Sequence, residues 1–140
     1  MIQVFDSWAG LLSPADFKEF AQPYLVAIAK ALQTEVPVIL FPKGSWYALP
    51  DLATSGASAI GIDWCIDPAT ARKWAGNNIT LQGNFDPSHL LGPVSEIERK
   101  VKEMIDDFGT HRYIANLGHG IMPNVPVDHA IAFVEAVKKY

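Results

Sequence analysis

One cysteine, Cys65, is all the chain contains, so it forms neither an internal disulfide nor a zinc site built on paired thiolates. A reducing, intracellular compartment fits that scarcity. Long apolar runs are also missing. Val36 to Phe41 and Ala57 to Ile62 are among the longest, far short of the ~20 residues that a membrane-spanning helix needs. Positive charge is in deficit, with 11 basic against 15 acidic side chains and a net charge of −4. That balance argues against a broad nucleic-acid or anionic-membrane surface, while leaving room for a local basic pocket. No Gly-x-Gly-x-x-Gly follows the first apolar run, no phosphate-binding P-loop occurs, and no Gly-x-Ser-x-Gly elbow surrounds Ser7. The common nucleotide-binding and serine-hydrolase signatures are therefore absent. Met1 to Asp6 lacks a cationic leader and an Arg/Ser-rich amphipathic opening, and so does not read as an export or organelle signal.

What the chain has is apolar surface: 49% of its 140 residues are hydrophobic, enough for one domain with a sizeable core. Short runs rich in β-branched residues at Ile2 to Phe5, Val38 to Phe41, Ala59 to Ile62, Ile79 to Leu81 and Tyr113 to Ala115 predict buried strands. Between them, Pro14 to Leu32, Tyr47 to Thr54, Pro68 to Trp74, Val94 to Phe108 and Val127 to Lys139 carry helical periodicity. Ser13-Pro14, Asp67-Pro68 and Asp86-Pro87 each set a capping side chain before a proline at the first helical position. The Ser95 to Glu98 spacing suits a capping box and equally an ordinary polar position. Strands that are apolar throughout, alternating with helices, indicate an α/β fold with a parallel sheet covered on both faces. An open doubly wound sheet and part of a (β/α)8 barrel both fit this spacing.

In either architecture the ligand side is the carboxyl edge of the sheet. The segments expected there are Asp6 to Gly10, Pro42 to Ser45, Asp63-Trp64, Gln82-Gly83-Asn84 and Asn116 to Gly120, and every one is polar. Five polar loops on one rim point to a ligand site more strongly than any single member. His119, flanked by Gly118 and Gly120, is the leading candidate, since small neighbours let the imidazole face a cavity. His89, His111 and His129 read as solvated helix or loop positions. Ser7 would attack only with a base nearby, and no Gly-x-Ser-x-Gly elbow surrounds it, so it reads as a hydrogen-bonding group rather than a nucleophile. Asp6 and Asp63 suit acid and base work, but strand-end aspartates more often hold loops through backbone N–H groups. Lys43 fits either a substrate carboxylate or solvent.

Several segments together, Phe5 to Gly10, Gly61 to Trp64, Leu81 to Pro87, Asp106 to Gly109 and Asn116 to Ile121, resemble the uroporphyrinogen decarboxylase family in wording, order and spacing. The resemblance covers essentially all of residues 1–140, as a single domain. It implies a partial (β/α)8 TIM barrel of about five βα units, the C-terminal portion of that enzyme, with the N-terminal portion absent. It further implies a usually homodimeric carboxy-lyase that removes four acetate carboxyl groups from uroporphyrinogen III, giving coproporphyrinogen III in haem biosynthesis. No metal or organic cofactor is implied; the partner is a tetrapyrrole rather than nucleic acid or membrane. The compartment is cytoplasmic, with the plastid as an alternative. Ser7 and His119 match family positions that contact substrate through its carboxylates, and Phe5 matches an apolar wall of the cleft. The family's arginines, pyrrole-binding aspartate and active-site tyrosine lie outside these residues, so no catalytic residue is assigned, and neither Asp6 nor Asp63 takes the aspartate's role. Pro42, where the family often has alanine, is a small departure that restricts the Lys43 loop.

Five of a barrel's eight strands leave two unpaired edges and an exposed apolar inner face. Residues 1–140 alone are accordingly expected to be non-catalytic and to self-associate, aggregate or await complementation by an N-terminal fragment. Two other functions remain open to the sequence. One is a non-catalytic half-barrel that binds a tetrapyrrole or a protein. The other is a related zinc-dependent corrinoid or thiol methyltransferase, against which Cys65 stands without His-x-Cys spacing.

Overall fold

Apolar β-branched runs extend and pair because their side chains pack on both sides of a pleated surface. The computed structural model describes residues 1–140. Its strands are β1 (Ile2–Asp6), β2 (Val38–Pro42), β3 (Ala59–Gly61), β4 (Thr80–Phe85) and β5 (Tyr113–Leu117). They form one parallel sheet in the order β1-β2-β3-β4-β5. Strand order never reverses, so successive right-handed crossovers place every helix on the same side of the sheet. This decides between the two architectures: the sheet is part of a barrel, unclosed, with β1 and β5 as its edges.

The outer layer is α1 (Pro14–Phe20), α2 (Gln22–Leu32), α3 (Leu49–Leu52), α4 (Pro68–Ala75), α5 (Val94–Phe108) and α6 (Val127–Val137). Local capping chemistry starts them as expected. Ser13 Oγ accepts the Asp16 N–H at 3.2 Å, and the Asp67 carboxylate accepts that of Thr70 at 2.9 Å. Asp86 accepts the Ser88 N–H at 2.8 Å, although the turn it opens, Pro87–Leu91, is a 3-10 helix.

Three expectations are corrected and one open alternative, at Ser95, is decided. The helix expected over Pro14 to Leu32 breaks at Ala21, because Pro23 has no N–H to continue the ladder and its ring crowds the preceding turn. The segment Tyr47 to Thr54 resolves into a 3-10 turn, Trp46–Ala48, and the short α3. At α5, Pro93 is the N-cap and no side chain caps the helix, which leaves Ser95 inside the first turn and without a capping box. Finally, β4 runs on through Gln82-Gly83-Asn84 to Phe85, so those residues belong to the sheet rather than to a loop.

The core lies between sheet and helices. Leu40, Ile60 and Leu81 on the outward face meet Phe17, Leu25, Leu49, Leu52, Ile97 and Val101, all buried, each such side chain contributing about 1.5–3 kcal/mol through burial. In α5 the buried Ile97, Val101, Met104, Ile105 and Phe108 follow helical spacing. Its outward face carries Arg99–Glu96, Arg99–Glu103 and Lys102–Asp106 pairs, which add little at such exposure. Coverage of both sheet faces, expected from the apolar strands, holds at β2 and β3 but not at the edges. Ile2, Phe5 and Ile114, on β1 and β5, are 42%, 63% and 37% exposed.

Candidate functional site

Parallel register aligns one row of side chains across the concave face. Phe5 pairs with Phe41, Gly61 with Gln82, and Gln82 with Ile114. The Phe5 and Phe41 rings meet edge to face at 5.9 Å. Gly61 is what allows this, since a Cβ there would lie 2.8 Å from Phe41 Cδ2. Beyond β5, Gly118 donates its N–H to the Phe85 carbonyl at 2.7 Å, and the next residue, His119, sets its ring 6.4 Å from that of Phe41.

Phe5, Phe41, Gly61, Gln82 and His119 line a cavity of about 640 Å³. Phe5, Ser7 and His119, the three residues singled out in the sequence, share that lining with Phe41, Ile62, Leu117 and Phe133, and with the polar Gln3, Gln82 and Asn116. The walls are mostly apolar with a few hydrogen-bonding groups, the composition of small-molecule sites. His119 is the one titratable side chain in the lining. His89, His111 and His129 lie outside it: His129 Nδ1 is 2.7 Å from the Leu90 carbonyl, and His89 packs on the edge of Phe85.

The aspartates act as loop ties. Buried Asp63 accepts the Gly44 N–H at 2.6 Å and the Cys65 N–H at 2.9 Å, while Asp6 accepts the Trp8 N–H at 3.3 Å. The Lys43 ammonium sits 5.9 Å above the Trp64 ring. Pro42 continues β2 opposite Asp6 without disturbing the pairing.

Partial burial, then the Asp63 carboxylate, push the Cys65 thiol above its ordinary value. No group of three or more His, Cys, Asp or Glu side chains is placed to hold a metal ion. The donor set required by the methyltransferase alternative is therefore not assembled by these residues. No helix is long and apolar enough to cross a membrane.

Reading the sequence missed Phe41 and Gln82 as cavity groups. Phe41 looked like one more core residue, and Gln82 looked like part of a rim loop. The available signal was a lone amide directly after Thr80-Leu81, in a segment that otherwise alternates as a strand.

The family model for uroporphyrinogen decarboxylase (URO-D) matches residues 1–140. The chain belongs to the uroporphyrinogen decarboxylase family. Uroporphyrinogen decarboxylase of Flavobacterium johnsoniae is 55% identical over 139 residues, covering 99% of this chain and 41% of the relative. The Schizosaccharomyces pombe protein is 48% identical, covering 100% and 42%, and the human one 45% identical, covering 99% and 40%. The chain thus spans about two fifths of the length of the curated relatives it matches. In fold it is similar to a methyltransferase from Methanosarcina mazei, with a TM-score of 0.80 and 24% identity over 99% of this chain and 41% of that one.

Proposed function

We propose that this chain is the C-terminal part of a uroporphyrinogen decarboxylase, a carboxy-lyase converting uroporphyrinogen III to coproporphyrinogen III by removing carbon dioxide from four acetate side chains. The observation that carries this reading is the family match along the whole chain, joined to a cavity that gathers Phe5, Ser7 and His119. In this chemistry a pyrrole ring protonated on carbon accepts the electron pair released as the acetate C–C bond breaks and carbon dioxide leaves. The exocyclic carbon then takes up a proton to become a methyl group, and the ring loses its extra proton. Because the ring itself is the electron sink, the reading requires no metal or organic cofactor. The protein supplies position and charge stabilisation.

Within this scheme the His119 ring and the Ser7 hydroxyl donate to substrate carboxylates, and Phe5 with Phe41 forms the wall on which the macrocycle lies. Residues 1–140 form a single domain that closes into a complete barrel with the remaining length seen in the relatives. The working form is a cytoplasmic homodimer of complete chains. Taken alone, residues 1–140 do not turn over, which the unclosed sheet supports: β1 and β5 each pair on one side only.

The test is an anaerobic assay of the complete gene product with uroporphyrinogen III, followed by oxidation and chromatographic separation of the porphyrins by carboxylate number. Porphyrins with four carboxylates, preceded by partly decarboxylated species, are expected. Retention of all eight carboxylates overturns the reading.

A further inference from the structure

We infer that Gln82 is a substrate-binding residue, its side-chain amide donating a hydrogen bond to a carboxylate of an anionic tetrapyrrole at the floor of the cavity; this rests on the proposed function. Gln82 is 6% exposed, yet its amide makes no hydrogen bond within the chain. Its backbone carbonyl accepts the Ile62 N–H at 2.8 Å. The side chain stands in the Phe5, Phe41 and Gly61 row, on the face that lines the cavity. Gly61 beside it has no side chain, so nothing on that strand covers the amide.

Ser45 Oγ is the one sealed side-chain atom without a partner, so the unbonded Gln82 amide opens on the cavity and is free to bond what enters it. Such a group belongs where an incoming ligand satisfies it. The lining contains no Asp, Glu, Lys or Arg. A carboxylate entering it meets no like charge, and among residues 1–140 it finds His119 and neutral donors, of which a glutamine amide offers two N–H groups on one atom.

The two variants Gln82→Met and Gln82→Glu separate a binding role from a structural one in the complete gene product. Methionine keeps the length and removes both polar atoms. Gln82→Met is expected to leave Tm unchanged or higher, while raising the KM for uroporphyrinogen III about tenfold, the loss of one hydrogen bond to a charge. Gln82→Glu sets a carboxylate against a carboxylate and is expected to bind more weakly than Gln82→Met. Kinetic constants for Gln82→Met within twofold of the parent overturn the inference. So does a fall in Tm with unchanged kinetics, which means that the amide is bonded inside the complete fold. Parent-like binding by Gln82→Glu overturns it too, by making position 82 an acceptor of N–H groups. Fluorescence quenching by the oxidised octacarboxylate porphyrin distinguishes this failure from failure of the proposed function. A parent protein that binds that porphyrin through Gln82 but does not decarboxylate overturns only the activity.

Discussion

The carboxylate of Asp63 accepts the backbone N–H of Gly44 at 2.6 Å, tying the loop after β3 to the loop after β2. Its other oxygen accepts the Cys65 N–H at 2.9 Å, so one buried side chain sets the shape of two neighbouring loops on the rim. Asp63→Ala leaves both N–H groups without a partner and is expected to cost about 3 kcal/mol. Asp63→Asn keeps one strong acceptor and is expected to cost about half as much. Urea unfolding of the complete gene product measures both, and equal stability of the three proteins would remove the tie from the account.

The opposite end of the sheet is held by Arg72. Its guanidinium donates to the carbonyls of Gly76, Ile79 and Arg112 at 3.2, 2.9 and 3.0 Å, joining the end of α4 to the starts of β4 and β5. Burial, followed by repulsion from Arg112, lowers its pKa below the usual arginine value. Lysine offers three donors on one atom and cannot span three carbonyls in a fixed fork. Arg72→Lys is therefore expected to destabilise by about 2 kcal/mol with little change in kcat. Thermal unfolding beside steady-state kinetics checks both halves of the prediction.

Tyr113 joins the first residue of β5 to the middle of β4, donating its hydroxyl to the Gly83 carbonyl while its ring stacks on Phe108 at 4.5 Å. Burial raises its pKa well above the ordinary tyrosine value of 10.0. A group whose pKa is higher in the folded state contributes stability that is fully present below the unfolded value and is lost as pH rises toward the folded one. The contribution of Tyr113 thus persists through neutrality and declines above about pH 10. Tyr113→Phe is expected to cost about 1 kcal/mol at pH 7 and to flatten the alkaline decline. The share due to Cys65, whose pKa is also raised, remains. Unfolding free energies at pH 7 and pH 10.5 test this, and parallel declines in the two proteins would count against it.

Much of this fold was legible because its signals are local. Ser13 and Asp67 cap the helices that follow them through N–H groups three residues away, and a sequence shows that spacing directly. The Pro14 to Leu32 break was legible in principle at Pro23, but helical periodicity masked it. Gln82-Gly83-Asn84 reads as a loop by composition, and what makes it strand is pairing with Gly61 on one side and with residues 114 to 116 on the other. Gly83 also takes φ +133°, where a Cβ would lie 2.2 Å from the Ile62 carbonyl oxygen, a contact that only tertiary structure reveals. The loops carrying Ser7 and His119 were legible as strand-end positions, while Phe5 joined them only through the family resemblance. Phe41 and Gln82 joined them through cross-strand register, which is a long-range property.

The position of His119 gives the last prediction. Gly118, which precedes it, packs so closely on the Asp63 segment that a Cβ would lie 3.0 Å from Asp63 Cα, and this contact directs the chain so that the His119 ring faces Phe41. The ring is half-buried and makes no side-chain hydrogen bond within the chain, so removing it disturbs little of the fold. His119→Ala is expected to shift stability by less than about 1 kcal/mol. If the imidazole donates to a substrate carboxylate, the same change lowers kcat/KM by roughly 10- to 100-fold, equivalent to about 1.4–2.7 kcal/mol of transition-state stabilisation. His119→Asn retains an N–H donor on a shorter side chain and is expected to fall between the two. Ser7, exposed at the end of β1, serves as the companion: Ser7→Ala is expected to lower kcat/KM about 3- to 10-fold, since a neutral hydroxyl makes the weaker bond. Steady-state kinetics on uroporphyrinogen III, read beside Tm, separates these outcomes. An unchanged kcat/KM in His119→Ala would remove the imidazole from the site.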